Sequence, residues 1–166
     1  MKVKVVRKQA NSKNCIICGM DNDASVKAQF YEMENGYLCS LFKFRSIHQS
    51  YPERVHGGMI TSMLDELIGR VIWVTEPDTY AVTTSIQVQF KKPVPYDVEL
   101  KGLSYITKNS SRLYSAVGEI RDMDNNILAT AEATYFKMKI KMICSNSNID
   151  DEMCYMIDDN VTEIDI

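Results

Sequence analysis

The sequence predicts an α+β fold in which an antiparallel sheet curls round a single long helix. Three observations carry that expectation: one stretch of helical apolar period, six runs of strand character, and turn-forming residues between them. Ile60, Met63, Leu64, Leu67, Ile68, Val71 and Ile72 recur at three- and four-residue spacing between Gly57 and Val74, as a helix buried over most of its girth would show. Two strand-like runs precede it and four follow. A sheet built in that order can wrap the helix, although the order alone leaves several folds open.

The elements follow from local chemistry. The first two dozen residues are polar and carry Cys15-Ile16-Ile17-Cys18-Gly19 and then the turn formers Asp21-Asn22-Asp23, which reads as a loosely ordered opening segment. Val26 to Met33 and Tyr37 to Phe44 are rich in aromatic and β-branched residues and flank Glu34-Asn35-Gly36, whose Asn-Gly is a strong hairpin signal. The Gly57 to Val74 helix should stop before Pro77, which cannot continue it.

Four further strands are expected at Tyr80 to Phe90, Val98 to Thr107, Arg112 to Arg121 and Ile127 to Met138, with Asp124-Asn125-Asn126 turning between the last two. In the first of these, Thr84, Ile86, Val88 and Phe90 alternate with Thr83, Ser85, Gln87 and Gln89. That period of two gives one apolar face and one polar face, with Thr83 on the polar one. Pro93 and Pro95 mark the exit from the strand. After Met142 the pattern fades into a segment rich in Asp and Glu without a basic residue, expected to be mobile or loosely docked. The chain therefore divides into an opening segment, 1–25, a folded domain, 26–140, and an acidic tail, 141–166.

Composition narrows the function. At 166 residues, 45% apolar and 25% charged, one domain can bury a substantial core. A net charge of -3 supplies no basic field for nucleic acid. The basic N-terminus lacks the apolar run of a secretory signal, and no stretch approaches the roughly 20 residues that span a bilayer. A cytoplasmic protein without membrane partners is expected, and five cysteines, an odd number, fit reduced thiols better than a disulfide framework.

The informative stretch runs from His48 to Glu66. Gly57 and Gly58 at a helix start let a ligand approach the backbone, and unpaired first-turn N–H groups with the positive dipole end suit a developing oxyanion. Taken alone, the glycines are explained more simply by a plain glycine-containing loop before a helix. Asp65 is different, because an unpaired carboxylate in the most apolar helix is costly to bury. Gly58, Thr61 and Gly69 share its helical face and leave room beside it. Glu66 is placed to pair with Arg70 on a solvated face. His48 and His56 flank the glycines without the order of a serine triad, and His56 is assigned a backbone-holding role. Cys15 and Cys18 have the spacing of a zinc or redox pair, yet no second CxxC or histidine pair completes four ligands. No tightly held metal is expected.

HGGMITSMLDE, preceded by HQSYPERV and followed by TTSIQVQFKKPVP and SRLYSAVGEIRDMDNNILATAEATYF, resembles the hotdog-fold acyl-CoA thioesterases of the phenylacetate-pathway type and their animal relatives. The likeness covers residues from about 15 to 138, and CIICGMDN resembles an N-terminal segment of that superfamily. It implies a six-stranded antiparallel sheet wrapped round one long central helix, with two such units pairing as a homodimer, or as a dimer of dimers, around shared active sites. Gly57, Gly58 and His56 would belong to the catalytic helix start, Asp65 would activate water or attack directly, and Thr83 would help to orient that water. Lys91, Lys92 and Arg112 would meet the phosphates and adenine end of coenzyme A, which is part of the substrate; no other cofactor is implied. Ser50 stands where some relatives have an Asn that assists at the carbonyl, leaving His48 or Gln49 for that place. Two alternatives keep the fold: a non-catalytic acyl-CoA-binding module, and a dehydratase using a histidine with a carboxylate.

Overall fold

The computed structural model describes residues 1–145, 148–156 and 158–166. Among them a single long helix, α1 (Gly57–Arg70), lies on an antiparallel sheet, as the hotdog fold requires. The strands are β1 (Lys2–Lys8), β2 (Gln29–Met33), β3 (Leu38–Phe42), β4 (Tyr80–Phe90), β5 (Leu100–Asn109), β6 (Leu113–Asp122), β7 (Ile127–Met138) and β8 (Glu163–Asp165). Their order across the sheet is β4-β7-β6-β5-β3-β2-β1-β8. Two four-residue helices, α2 (Ile140–Ile143) and α3 (Ile149–Glu152), lie in the tail.

Strands β2 to β7 are the six expected ones. The sheet has eight strands because both ends of the chain join it, and this corrects the expectation of a loose opening segment and a loose tail. Val3 pairs with Ile164 in register, each nearly inaccessible to solvent. The Arg7 guanidinium donates to both oxygens of buried Glu32, at 2.8 and 2.7 Å, and fastens β1 to β2. Tyr155 forms a bridge to Asn11, and Lys8 pairs with Asp159. The alternating Val3 and Val5 were a local strand signal; their partners lie about as far along the chain as a partner can, where no periodicity announces them.

The core sits between α1 and the sheet. Ile60, Met63, Leu64, Leu67 and Ile68 are buried on the helix face that meets Phe30, Leu38, Leu100, Ala116 and Ile120. Each such side chain contributes about 1.5–3 kcal/mol on burial. The helix can lie this close because Gly118 has no side chain: a Cβ there would come within 2.7 Å of Ile68 Cγ1. Val71 to Val74, expected as the last helical turn, tightens into a 3-10 helix before Pro77. At the far edge, β4 hydrogen-bonds to β7 alone and leaves one side of an eleven-residue strand open among the described residues.

Candidate active site

The helix start is held by His56. As the residue before the first helical turn, its Nδ1 accepts the Gly58 N–H at 2.9 Å, and its carbonyl accepts from Met59 and Ile60. This is the backbone-holding role expected of it. It also takes Gly58 out of the set of free donors, so the Gly57 N–H, without a hydrogen-bond partner among the described residues, is the one available to a ligand oxygen. Gly57 lies against the Phe90 ring, where a Cβ would sit 3.4 Å from Cζ. Arg54, Gly57, Ile60, Phe90, Lys91 and Lys92 help to line an open cleft of about 360 Å³ there.

His48 and Gln49 do not serve that cleft. His48 is buried; its Nδ1 accepts the Arg45 N–H at 3.0 Å and its Nε2 meets the Ala24 carbonyl at 2.7 Å. With both ring nitrogens committed to the backbone, it holds the loop and has nothing left for a substrate carbonyl. The Gln49 side chain accepts from the Tyr96 hydroxyl at 3.4 Å.

Asp65 occupies the second half of the site. It is half-buried, and its Oδ1 accepts from the Thr83 hydroxyl and the Tyr135 hydroxyl, each at 2.8 Å. Oδ2 has no protein partner among the described residues. The same Tyr135 hydroxyl also approaches the Asp65 carbonyl at 2.9 Å. Burial, and then the charge of Asp65, holds the Tyr135 phenol well above the ordinary tyrosine range, so it remains a donor. Its ring stacks on Tyr114 at 4.9 Å between centroids. One carboxylate oxygen is thus pinned and the other is free to meet water or an electrophile.

Thr83 reaches Asp65 through a departure from the expected alternation. The pairing of β4 with β7 shifts between Thr83 and Ser85, and Thr84 bulges there to bond the Thr134 carbonyl at 2.8 Å. An extra residue in a strand reverses the facing of everything beyond it. Thr83 therefore shares the helix-facing side with Ile86, and the prediction that placed it on the polar face is corrected. Tyr135 was missed. In the sequence it is one apolar position of a regular strand, and only the pairing Thr83 with Tyr135 brings it to the carboxylate.

The expected coenzyme A contacts do not converge in one protomer. Lys91 and Lys92 follow the end of β4, and Lys91 bonds Gln89. Arg112 lies in the turn before β6, its carbonyl accepting from Lys137, which pairs with Ala81 near the start of β4. Eleven residues of extended chain separate these ends by roughly 34 Å. The wider clefts of about 570 and 520 Å³ lie beside Glu76 and Lys137, and on the sheet around Ser85, Thr107 and Glu132. Neither is lined by Asp65 or Gly57.

Glu66 pairs with Arg70 as expected, at 2.6 Å, but the pair is not on a solvated face. Arg70 is buried, stacked 4.4 Å over Phe30, and its Nη2 donates to Cys18 Sγ at 2.9 Å. The opening segment covers this side of α1. The neighbouring Cys15 thiol, and then Arg70, hold the Cys18 thiol below its ordinary range against burial and the charge of Glu66.

Residues 53–129 match the family model of the thioesterase superfamily. Among curated proteins none matches the chain. Solved structures do: a thioesterase superfamily protein aligns with a TM-score of 0.69 at 18% identity over 74% of this chain and 63% of its own. A phenylacetic acid degradation-related protein from Ralstonia eutropha JMP134 aligns at 0.56 and 26% identity, over 62% of this chain and 77% of its own. A hypothetical thioesterase protein from Streptococcus pneumoniae TIGR4, solved with coenzyme A, aligns at 0.61 and 17% identity over 68% and 86%.

Proposed function

We propose that this chain, whose residues 53–129 match the family model of the thioesterase superfamily, hydrolyses acyl-CoA thioesters to the free acid and coenzyme A. The observation that carries the reading is Asp65, a carboxylate with one oxygen held by Thr83 and Tyr135 and the other without a partner among the described residues. Such a group can take a proton from water as that water attacks the thioester carbonyl, or attack the carbonyl itself. The Gly57 N–H, at the positive end of α1, would receive the carbonyl oxygen as it gains charge. When water attacks, expulsion of the coenzyme A thiolate, which takes up the proton held by Asp65, completes hydrolysis; when Asp65 attacks, the same expulsion leaves a mixed anhydride that water must cleave to free the acid and restore the carboxylate. No resident cofactor takes part in either route. The coenzyme A bound by the S. pneumoniae neighbour supports this substrate class, and the protein would act in the cytoplasm, where such thioesters are made and used.

Gly57 and Asp65 are eight residues apart, about 12 Å along the helix axis. A water poised for attack must lie about 3 Å from both the base and the carbonyl carbon. One protomer's carboxylate is therefore too far from its own helix start, and the reading uses two chains whose helices exchange these groups about a two-fold axis. The open edge of β4 supports that arrangement, since long uncovered edges are normally paired or blunted. In an antiparallel pairing of two β4 edges, Lys91 and Lys92 of one chain would also approach the β4 start, and with it the Arg112 end, of the other. A dimer, or a dimer of dimers, is the expected assembly.

Assaying a panel of acyl-CoAs for thiol release tests the function directly. Turnover of at least one is expected; tight acyl-CoA binding with no release of thiol would favour a binding module.

A further inference from the structure

The opening segment carries chemistry that the thioester site does not use. Ser12 to Gly19 forms a tight turn over α1 in which the Ile17 N–H donates to Cys15 Sγ at 3.3 Å and the Gly19 N–H to the Cys15 carbonyl at 2.8 Å. Gly19 is required where it stands, because a Cβ would fall 2.4 Å from that carbonyl oxygen. The turn sets Cys15 and Cys18 side by side and aims both at Glu66. Sγ of Cys15, Sγ of Cys18 and a Glu66 carboxylate oxygen all lie within 4.8 Å of one another.

We propose that Cys15, Cys18 and Glu66 form a binding site for a thiophilic divalent cation of the zinc class, which clips the opening segment to α1. The expectation of no metal rested on the want of further ligands near the cysteines, and the fold supplies one from a helix some fifty residues on. Zinc takes sulfur at about 2.3 Å and carboxylate oxygen at about 2.0–2.2 Å. Tetrahedral ligands then stand about 3.5–4 Å apart, so the three donors need close by only about 1 Å. Cys15 is half-buried, leaving solvent access for water as a fourth ligand.

Charge and the contacts around the cluster are compatible with a divalent cation. Two thiolates and a carboxylate carry three negative charges; Arg70 supplies one positive charge and a divalent ion two, which leaves the cluster neutral. Without the ion the cysteines keep their protons and Glu66 is balanced by Arg70, so the cluster is neutral in both states. Arg70 is placed as an outer-shell partner. Its Nε donates to Glu66 Oε1 at 2.6 Å and its Nη2 to Cys18 Sγ, while its Nη1 is anchored on the Ala10 carbonyl at 3.0 Å. That leaves Glu66 Oε2 facing Cys15 Sγ at 3.8 Å. Binding exchanges the thiol protons for the ion and releases them to solvent, with no change of oxidation state.

The test uses the full chain, reduced, stripped with a chelator and titrated with cobalt(II) alone. A thiolate-to-cobalt charge-transfer band saturating at one ion per chain, and bleached by zinc, is expected. Cys15→Ser and Cys18→Ser should remove the band, Glu66→Gln should weaken binding at least tenfold, and Cys154→Ser should change nothing. Circular dichroism of each variant separates loss of a ligand from loss of the fold, and the wild-type titration decides even if a variant fails to fold. No charge-transfer band in the wild type, or a band that depends on Cys154, would overturn the site. So would a Cys15–Cys18 disulfide in the isolated protein that, once reduced, binds no cobalt.

Discussion

Tyr135→Phe isolates what the shared hydrogen bond to Asp65 contributes. The substitution deletes one hydroxyl and leaves the ring, so stacking on Tyr114 at 4.9 Å persists and the core is not emptied. What disappears is one of two donors that pin Oδ1, at 2.8 Å, together with its contact to the Asp65 carbonyl at 2.9 Å. A hydrogen bond to a charged acceptor is worth about 1.5–3 kcal/mol. If that energy holds the carboxylate in its reactive orientation, kcat should fall about 10- to 100-fold. KM should move little, because the hydroxyl faces the helix rather than the Gly57 cleft. The assay is thiol release from the best acyl-CoA of the panel, run beside Thr83→Val, which removes the other donor, and Thr83→Ser, which keeps a hydroxyl. Thr83→Val should resemble Tyr135→Phe, Thr83→Ser should stay near wild type, and the double variant should lose less than the product of the two single losses. Wild-type kcat in both Tyr135→Phe and Thr83→Val would refute the positioning of Asp65 by these hydroxyls.

Three further outcomes follow from other parts of the molecule. Removing residues 161–166 takes β8 and the buried Ile164 from β1, at about 1.5–3 kcal/mol; the melting temperature should drop by roughly 3–12 °C while thiol release is retained, and an unchanged melting temperature would show that β8 contributes nothing. Glu76 is lowered to about 2, chiefly by its hydrogen bonds to Lys137 and Asn109, so its contribution is present above the ordinary carboxylate range and is lost as pH falls through 2. Being partly exposed, it is worth no more than about 1 kcal/mol, and in urea unfolding the gap between wild type and Glu76→Gln should be open at pH 7 and closed near pH 2. Finally, mixing Gly57→Val with Asp65→Asn and allowing subunits to exchange should restore up to about a quarter of wild-type activity, since half of the dimers are mixed and each regains one intact site of two; a mixture that stays inactive would place both groups in one chain's site.

The elements legible in the sequence were those whose signal is local. The bounds of β4 and β7 agree to the residue with the expected runs, because alternation and flanking turn residues define them without reference to the rest of the chain. The start of α1 was legible in the same way, from the glycine pair to the apolar period. What was missed is non-local. β1 and β8 are defined by pairing between opposite ends of the chain, and the tail's acidity concealed the strand that Ile164 anchors. The bulge at Thr84 leaves no mark in the alternation, yet it decides which threonine meets Asp65. His48 was offered in place of the Asn that some relatives have near Ser50, and its two backbone contacts, to residues 24 and 45, exist only in the folded loop. Glu66 read as a surface ion pair because helical spacing reports the partner at Arg70 but not the CxxC turn that covers them both.

The most direct measurement is thioester hydrolysis by Asp65→Asn. Asparagine keeps the size and the oxygen that Thr83 and Tyr135 hold, so the fold and the dimer should survive, but the side chain can neither accept a proton nor attack. Loss of such a group costs about 10² to 10⁴ in rate, and kcat should fall by at least that range while acyl-CoA still binds. Wild-type turnover by a folded Asp65→Asn protein would contradict the assignment of Asp65 to the chemistry.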